Sequence, residues 1–336
     1  MPAVTDPHNI YAADRAGLLS PTVARFRPLI YVPNSESSSV DEIDPRTHSI
    51  VRHLQVGRNP QHVVPSYDLK TLWVLNDRSN SVTALNPVDG SVGRTIAVTD
   101  PYNMYFTPDG RYALVVEEAR RVLAFRDPHT MALISRLPVQ CPGIDHLDFT
   151  ANGRFLIASC EFSRQLIKVD VAKQKIVGYL PLGPGSSPQD VKLSPDGRTM
   201  YVADRYRGGL WKIDPVRFRT LGFIPTGADA HGLYVGRDAK YLFITNRRGG
   251  SVSLLSFATG KIVKTWRLPG TTPDMGGFST DGRVLWLAGR YRGQVYAIDT
   301  VTGAITARIN VGIQPHGLCV YPQPGRYSLG HTGVFR

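Results

Sequence analysis

The feature that most constrains this chain is a repeat. An apolar strand closed by an acidic or polar turn recurs at Val40–Asp44–Pro45, Val82–Asn86–Pro87, Val122–Asp127–Pro128, Leu166–Asp170, Leu210–Asp214–Pro215, Val252–Ser256 and Val295–Asp299. The turn residues stand 41–44 positions apart along the whole 336-residue chain. A second anchor precedes the first in FTPDGR (Phe106–Arg111), FTANGR (Phe149–Arg154), LSPDGR (Leu193–Arg198) and FSTDGR (Phe278–Arg283). An Asp-Gly or Asn-Gly pair suits a tight hairpin, because glycine takes the positive φ such turns require. Runs rich in β-branched and aromatic residues follow, including FLIA from Phe155, MYVA from Met200 and LWLA from Leu285. Each period therefore reads as strand, Asp-Gly turn, strand, loop, strand, Asp-Pro turn, strand. Four short strands per ~40–45 residues make a propeller blade. A two-sheet sandwich has no reason to repeat the same turns seven times.

Counting the strands predicts how the ring closes. The second strand of the period occurs seven times, from about residue 29 to about 285, but the first strand begins only at His62 and recurs last at His316. The N-terminal strands thus lack an inner partner that the C-terminal strand supplies, and joining them removes two exposed sheet edges. The expectation is an all-β, seven-bladed propeller of four-stranded blades over residues 29–322, with an N-terminal extension over 1–28 and a tail over 323–336. A short helical turn is expected around Ala12–Leu19, ended by Pro21.

Composition narrows the class of partner. No apolar run approaches the ~20 residues of a membrane helix. The net charge of +12 raises the question of nucleic acid, but the basic residues are scattered without a clustered run, so nucleic acid ranks last among partners. Three cysteines, Cys141, Cys160 and Cys319, with no close pair, argue against a disulfide framework. Cys160 beside Glu161 is read as a small structural residue before it is read as a nucleophile. The first 25 residues lack a charged start followed by an apolar stretch. The expected location is cytoplasmic as the chain stands, and secreted or periplasmic if an export signal was trimmed.

Antiparallel strands bring the start of the first strand, the end of the second and the start of the third to one face. Aligning the repeats on their turns gives columns there. One column reads Gln61, Tyr102, Asp145, Gln189, His231, Asp274, His316, and the next reads His62, Asn103, His146, Asp190, Gly232, Met275, Gly317. Strands packed between blades usually carry apolar or small residues, so this density of polar groups is unusual. A third column, at the loop after the second strand, reads Ser35, Asp77, Glu118, Glu161, Arg205, Arg247, Arg290: acids on consecutive blades, then arginines. Arginine holds carboxylate or phosphate through paired hydrogen bonds.

These columns supply the candidates. Imidazole with carboxylate suits one divalent ion such as zinc, copper, iron or nickel, so His62, His146, His231 and His316 are candidate metal ligands. His231, His316, Glu161 and Asp274 are candidate catalytic residues. Arg205, Arg247, Arg290, Tyr102, Asn103, Glu118 and Asp190 are candidate ligand-binding residues. A ring of polar residues bonded to buried backbone and channel water is the competing reading of the same columns. His331, in the tail, caps the channel or bonds locally. Phosphate loops, His-Glu-x-x-His, Cys-x-x-Cys and Gly-x-Ser-x-Gly are absent from the sequence.

The Pro-x-x-x-x-x-Ser-Pro-Asp-Gly-Arg-x-x-Tyr-Val-Ala run at 188–203 and the Val-x-x-Ile-Asp-x-x-Thr-Gly run at 295–303 resemble the YVTN family of bacterial β-propellers, and the resemblance covers 29–322. It implies the propeller fold; members of that family include binding, scaffolding and enzyme-associated proteins. More distant propellers that look similar include a metal-dependent antibiotic lyase and amine dehydrogenase subunits. Two functions follow: a site at the channel mouth for a small polar or anionic molecule, with metal-assisted lyase or isomerase chemistry, or a non-catalytic scaffold or accessory subunit for a protein partner.

Overall fold

In the computed structural model, which describes every residue except 332, seven antiparallel sheets of four strands surround a central channel. The inner strands of six blades are Pro60–Pro65, Pro101–Phe106, Ile144–Phe149, Pro188–Leu193, Ala230–Val235 and Pro273–Phe278. In the seventh sheet Cys319–Tyr321 lies innermost against Leu29–Asn34, with Ser39–Asp44 and Ser49–Gln55 outside it. The register Leu29↔Tyr321, Ile30↔Val320 and Tyr31↔Cys319 closes the ring.

The Asp-Gly turns form for the reason read from the sequence. Gly197 has φ +70, and Asp196 Oδ1 accepts hydrogen bonds from Ser194 Oγ (2.5 Å) and the Arg198 N–H (3.0 Å). Two blades make the same turn without glycine, placing Leu69 and Ala239 at φ 66 and 55, which explains why the motif is missing there.

Burial divides each blade. The inner three strands are buried almost throughout, while outer strands such as Lys175–Pro181 alternate exposed and half-buried residues. Adjacent blades press apolar clusters together. The largest joins Leu114, Val116, Phe125, Leu147, Phe149 and Leu156 with Tyr327, Leu329 and Val334 of the tail.

The termini do more than cover a face. Leu329–Val334 forms a hairpin (Leu329 N–H to Val334 O, 2.6 Å) that climbs into the channel from the end opposite the mouth, alongside Pro101–Phe106. The Phe106 N–H donates to Leu329 O, and the His331 N–H donates to Met104 O at 2.8 Å. Gly330, at φ +90, allows this approach, since a Cβ there would meet Met104 O at 2.5 Å. The N-terminal segment clamps the hairpin from outside: Tyr11 Oη donates to Leu193 O, and Arg336 lies over the Tyr11 ring while pairing with Asp148 at 3.2 Å. The expected turn at Ala12–Leu19 is shorter than read, a 3-10 turn over Ala12–Asp14. Among the described residues no helix is long and apolar enough to cross a membrane.

Candidate functional site

The inner strands carry a feature that the sequence columns did not show. Pro60 pairs with Asn76 and Val63 with Val74, so Gln61 and His62 together oppose Leu75 alone. Asp145–His146, Gln189–Asp190, His231–Gly232 and Asp274–Met275 repeat this two-against-one bulge, and Tyr102 is the extra residue of its strand. In the closing blade three residues, 316–318, oppose two. A bulge bends its strand and re-aims side chains. Here it lets both columns feed one cluster. Blades carrying His62, Asn103 and His146 use the second bulge position, and blades carrying His231, Asp274 and His316 use the first. Glycine fills the other position beside His231 and His316, and a Cβ on Gly317 would lie 2.1 Å from His62 Cδ2.

Five buried histidine rings meet at the axis. His62 lies 4.9 Å from His316 and 5.9 Å from His146, and His146 lies 6.0 Å from His231, between ring centroids. His331 is the fifth, 4.8 Å from His146 and stacked on Tyr105 at 5.6 Å. It comes from the tail hairpin, outside the repeat, so no column contained it. Its only sequence signal was a histidine in a glycine-rich tail.

Burial holds these imidazoles neutral. The His62 ring is pushed down to about 3, chiefly by burial, and burial likewise lowers His146, His231, His316 and His331 well below the usual histidine range. His231 Nδ1 lies 3.0 Å and His316 Nε2 3.7 Å from Asp274 carboxylate oxygens. Asp274 Oδ1 accepts from Arg247 at 3.3 Å, whereas Oδ2 has no hydrogen-bond partner, and neither has Nδ1 of His231 or His316. Two sets of donor atoms lie within 4.8 Å of one another: His231, Asp274, His316 and His62, His146, His331. Asp190 accepts the N–H groups of Val191 and Leu233 (both 2.8 Å), and Asn103 contacts His146 and His331.

The mouth is polarised. Asp77, Glu118 and Glu161 lie on one arc; burial, with Asp100 beside it, raises the Asp77 carboxyl to about 7, and burial with repulsion from Glu161 raises that of Glu118 to about 8. Asp145, close to Tyr102, is raised well above the carboxylate range by burial and by Glu161. On the other arc two arginines are already engaged: Arg205 bridges Glu161 (2.5 Å) and Asp229 (3.3 Å), and Arg247 bridges Asp229 (3.0 Å) and Asp274. Arg290 keeps a buried guanidinium nitrogen with no hydrogen-bond partner and faces His316, whose proton affinity it lowers.

The cysteine reading requires correction. Cys141 and Cys160 form a disulfide, Cα–Cα 5.8 Å. They stand nineteen positions apart in sequence, but one precedes the inner strand and the other ends its antiparallel neighbour, so the hairpin brings them together. Cys160 is therefore no nucleophile, and Cys319 is free and buried.

The chain is similar in structure to hydrazine synthase of Kuenenia stuttgartiensis (20% identity, 81% of this chain and 92% of that one, TM-score 0.70). It is also similar to the periplasmic gluconolactonase PpgL of Pseudomonas aeruginosa (19%, 88% and 99%, 0.73) and to the dihydro-heme d1 dehydrogenase NirN (17%, 90% and 76%, 0.66). At these identities the likeness is one of fold. No curated protein matches the chain in sequence. The profile of the YNCE-like beta-propeller family matches residues 2–325, and the chain belongs to that family.

Proposed function

We propose that this propeller binds a small anionic molecule at the mouth of its channel, above a divalent metal ion held by His231, Asp274 and His316. One observation carries the reading: His231 Nδ1 and His316 Nε2 lie 3.0 and 3.7 Å from Asp274 carboxylate oxygens in a buried place, where His231 Nδ1 and Asp274 Oδ2 lack hydrogen-bond partners. Leaving such groups unpaired costs about 1–3 kcal/mol each, and a metal ion removes that cost. Arg290, with its unpartnered nitrogen, is the group suited to an incoming carboxylate or phosphate. A metal there would polarise a bound carboxylate or carbonyl, and Glu118, whose carboxyl is raised to about 8 by burial and by Glu161, is our candidate for exchanging a proton near neutral pH. That combination suits lyase or isomerase chemistry. The disulfide favours an oxidising compartment over the cytosol.

Malonate is a suitable probe for calorimetry. Arg290→Ala should weaken its binding by about 1–3 kcal/mol, while Arg308→Ala, on an outer strand with its guanidinium on Pro269 O, leaves it unchanged. Metal analysis of the purified protein should find an ion that His231→Ala and His316→Ala remove. Metal-free protein that binds malonate unchanged would reduce the cluster to hydrogen-bonding channel lining. If the protein holds neither metal nor malonate, the platform reading stands in its place, which the exposed rim residues Phe162, Tyr206 and Tyr291 favour.

A further inference from the structure

We propose that His62, His146 and His331 form a second, all-histidine metal site beside the first, complete only when the C-terminal hairpin occupies the channel, with Asn103 as its positioning residue. The inference adds a second ion to the reading above and is independent of what binds at the mouth.

The ring nitrogens carry the argument. His62 Nδ1 lies 2.9 Å from Tyr102 O. A carbonyl only accepts, so Nδ1 bears the proton and Nε2 keeps its lone pair. His146 Nδ1 and His331 Nδ1 lie 3.1 and 2.9 Å from the same Asn103 amide. His62 thus donates through Nδ1, whereas His146 and His331 accept through Nδ1 from the Asn103 NH2, and the Nε2 atom of all three has no hydrogen-bond partner. Histidines that ligate through one nitrogen are characteristically held through the other by a carbonyl, carboxylate or similar group, which fixes tautomer and ring plane. One ring nitrogen from each of the three histidines lies within 4.8 Å of the others. A tetrahedral ion with bonds of about 2.0–2.1 Å needs its ligands roughly 3.3 Å apart, so binding would draw the three rings together.

Charge is available to balance the ion. Asp145 Oδ1 lies 3.1 Å from His146 Nε2, and neither Asp145 oxygen has a hydrogen-bond partner. Asp190 Oδ1 lies 3.8 Å from His331 Nε2. With Asp274, that gives three buried carboxylates for two dications, and two-metal centres of this kind tolerate separations of about 3.5–4 Å. Imidazole ligands select copper, zinc or nickel rather than magnesium or calcium.

Asn103 makes the proposal specific. Its amide nitrogen faces both rings, and its oxygen accepts the Met104 N–H at 2.8 Å. Ligation through Nε2 requires Nδ1–H on both rings and therefore an acceptor facing them. Asparagine supplies one only by turning its amide and giving up its bond to the Met104 N–H, whereas aspartate would supply acceptors on both sides at once.

The test is zinc stoichiometry by equilibrium dialysis and elemental analysis, with far-UV circular dichroism to confirm folding. Wild type should hold two Zn²⁺ per chain, and His331→Ala and His316→Ala one each. Two ions in His331→Ala would overturn the proposal. So would a single wild-type ion lost in His316→Ala but kept in His331→Ala, a result that leaves the mouth site standing. A single ion lost in His331→Ala and kept in His316→Ala would instead remove the mouth site and support this one. Asn103→Leu should weaken the second zinc about 10–100-fold, and Asn103→Asp should restore it. Unchanged affinity in Asn103→Leu would refute the positioning role.

Discussion

Asp14 should make docking of the N-terminal segment pH-dependent, with a size that follows from its surroundings. It ends the Ala12–Asp14 turn, is 8% exposed, and its Oδ1 has no hydrogen-bond partner. Burial raises its carboxyl to about 7, against the opposing pull of Arg237. The ordinary value is 3.8, so between about pH 4 and pH 7 undocking releases a proton that the docked state holds. Docking is strongest below pH 4, weakens as pH rises towards 7, and is level above it. Each pH unit well inside that window is worth about 1.4 kcal/mol, and with half the docked carboxyl still protonated at pH 7 the docking constant should fall about 50-fold from pH 5 to pH 7. The segment can release its carboxylate to water without unfolding the ring, so the loss appears as local opening rather than as global melting. The assay is hydrogen exchange across residues 9–15, where the Ala12 and Asp14 N–H groups bond to Asn9 O and Tyr11 O, corrected for intrinsic rates at pH 5, 6, 7 and 8. Asp14→Asn should flatten the profile and protect the segment more than wild type at pH 8. Parallel profiles for the two proteins would refute the reasoning.

Deleting residues 313–336 removes the closing strand and the channel hairpin together, exposing the Leu29–Asn34 edge and the apolar surface under Tyr327, Leu329 and Val334. Aggregation or a large drop in melting temperature is expected, and a monomer with unchanged melting would show that neither element closes the ring. The double variant Cys141→Ser, Cys160→Ser should lose about 3 kcal/mol, as for a short closed loop. For a chain of this size that lowers the melting temperature by about 4 °C, and identical melting curves would mean that the bridge contributes nothing.

The blade count, the order of strands and the closure were legible because their determinants are local. An Asp-Gly pair sets its own backbone, a β-branched run prefers extended structure, and seven strand-and-turn repeats at a near-constant interval, four of them with an Asp-Gly or Asn-Gly turn, admit one architecture. The candidate columns were legible for the same reason, since repeats align position by position. The bulges were not, because a bulge is a relation between two strands: nothing in Gln61-His62 says that both will oppose Leu75. Nor did the sequence reveal that Arg205 and Arg247 are held by Glu161, Asp229 and Asp274, while Arg290 keeps an unpartnered nitrogen, since those partners lie on neighbouring blades. The Cys141–Cys160 bridge depends on hairpin geometry that a spacing rule cannot see. His331 reaches the axis because the channel has room for a hairpin whose glycine passes Met104 O, and only the assembled ring makes that room. The sequence by itself determined the ring and the residues that line it. The tertiary structure decided which of them meet, because contact across blades depends on register, bulge and the path of a tail that lies outside the repeat.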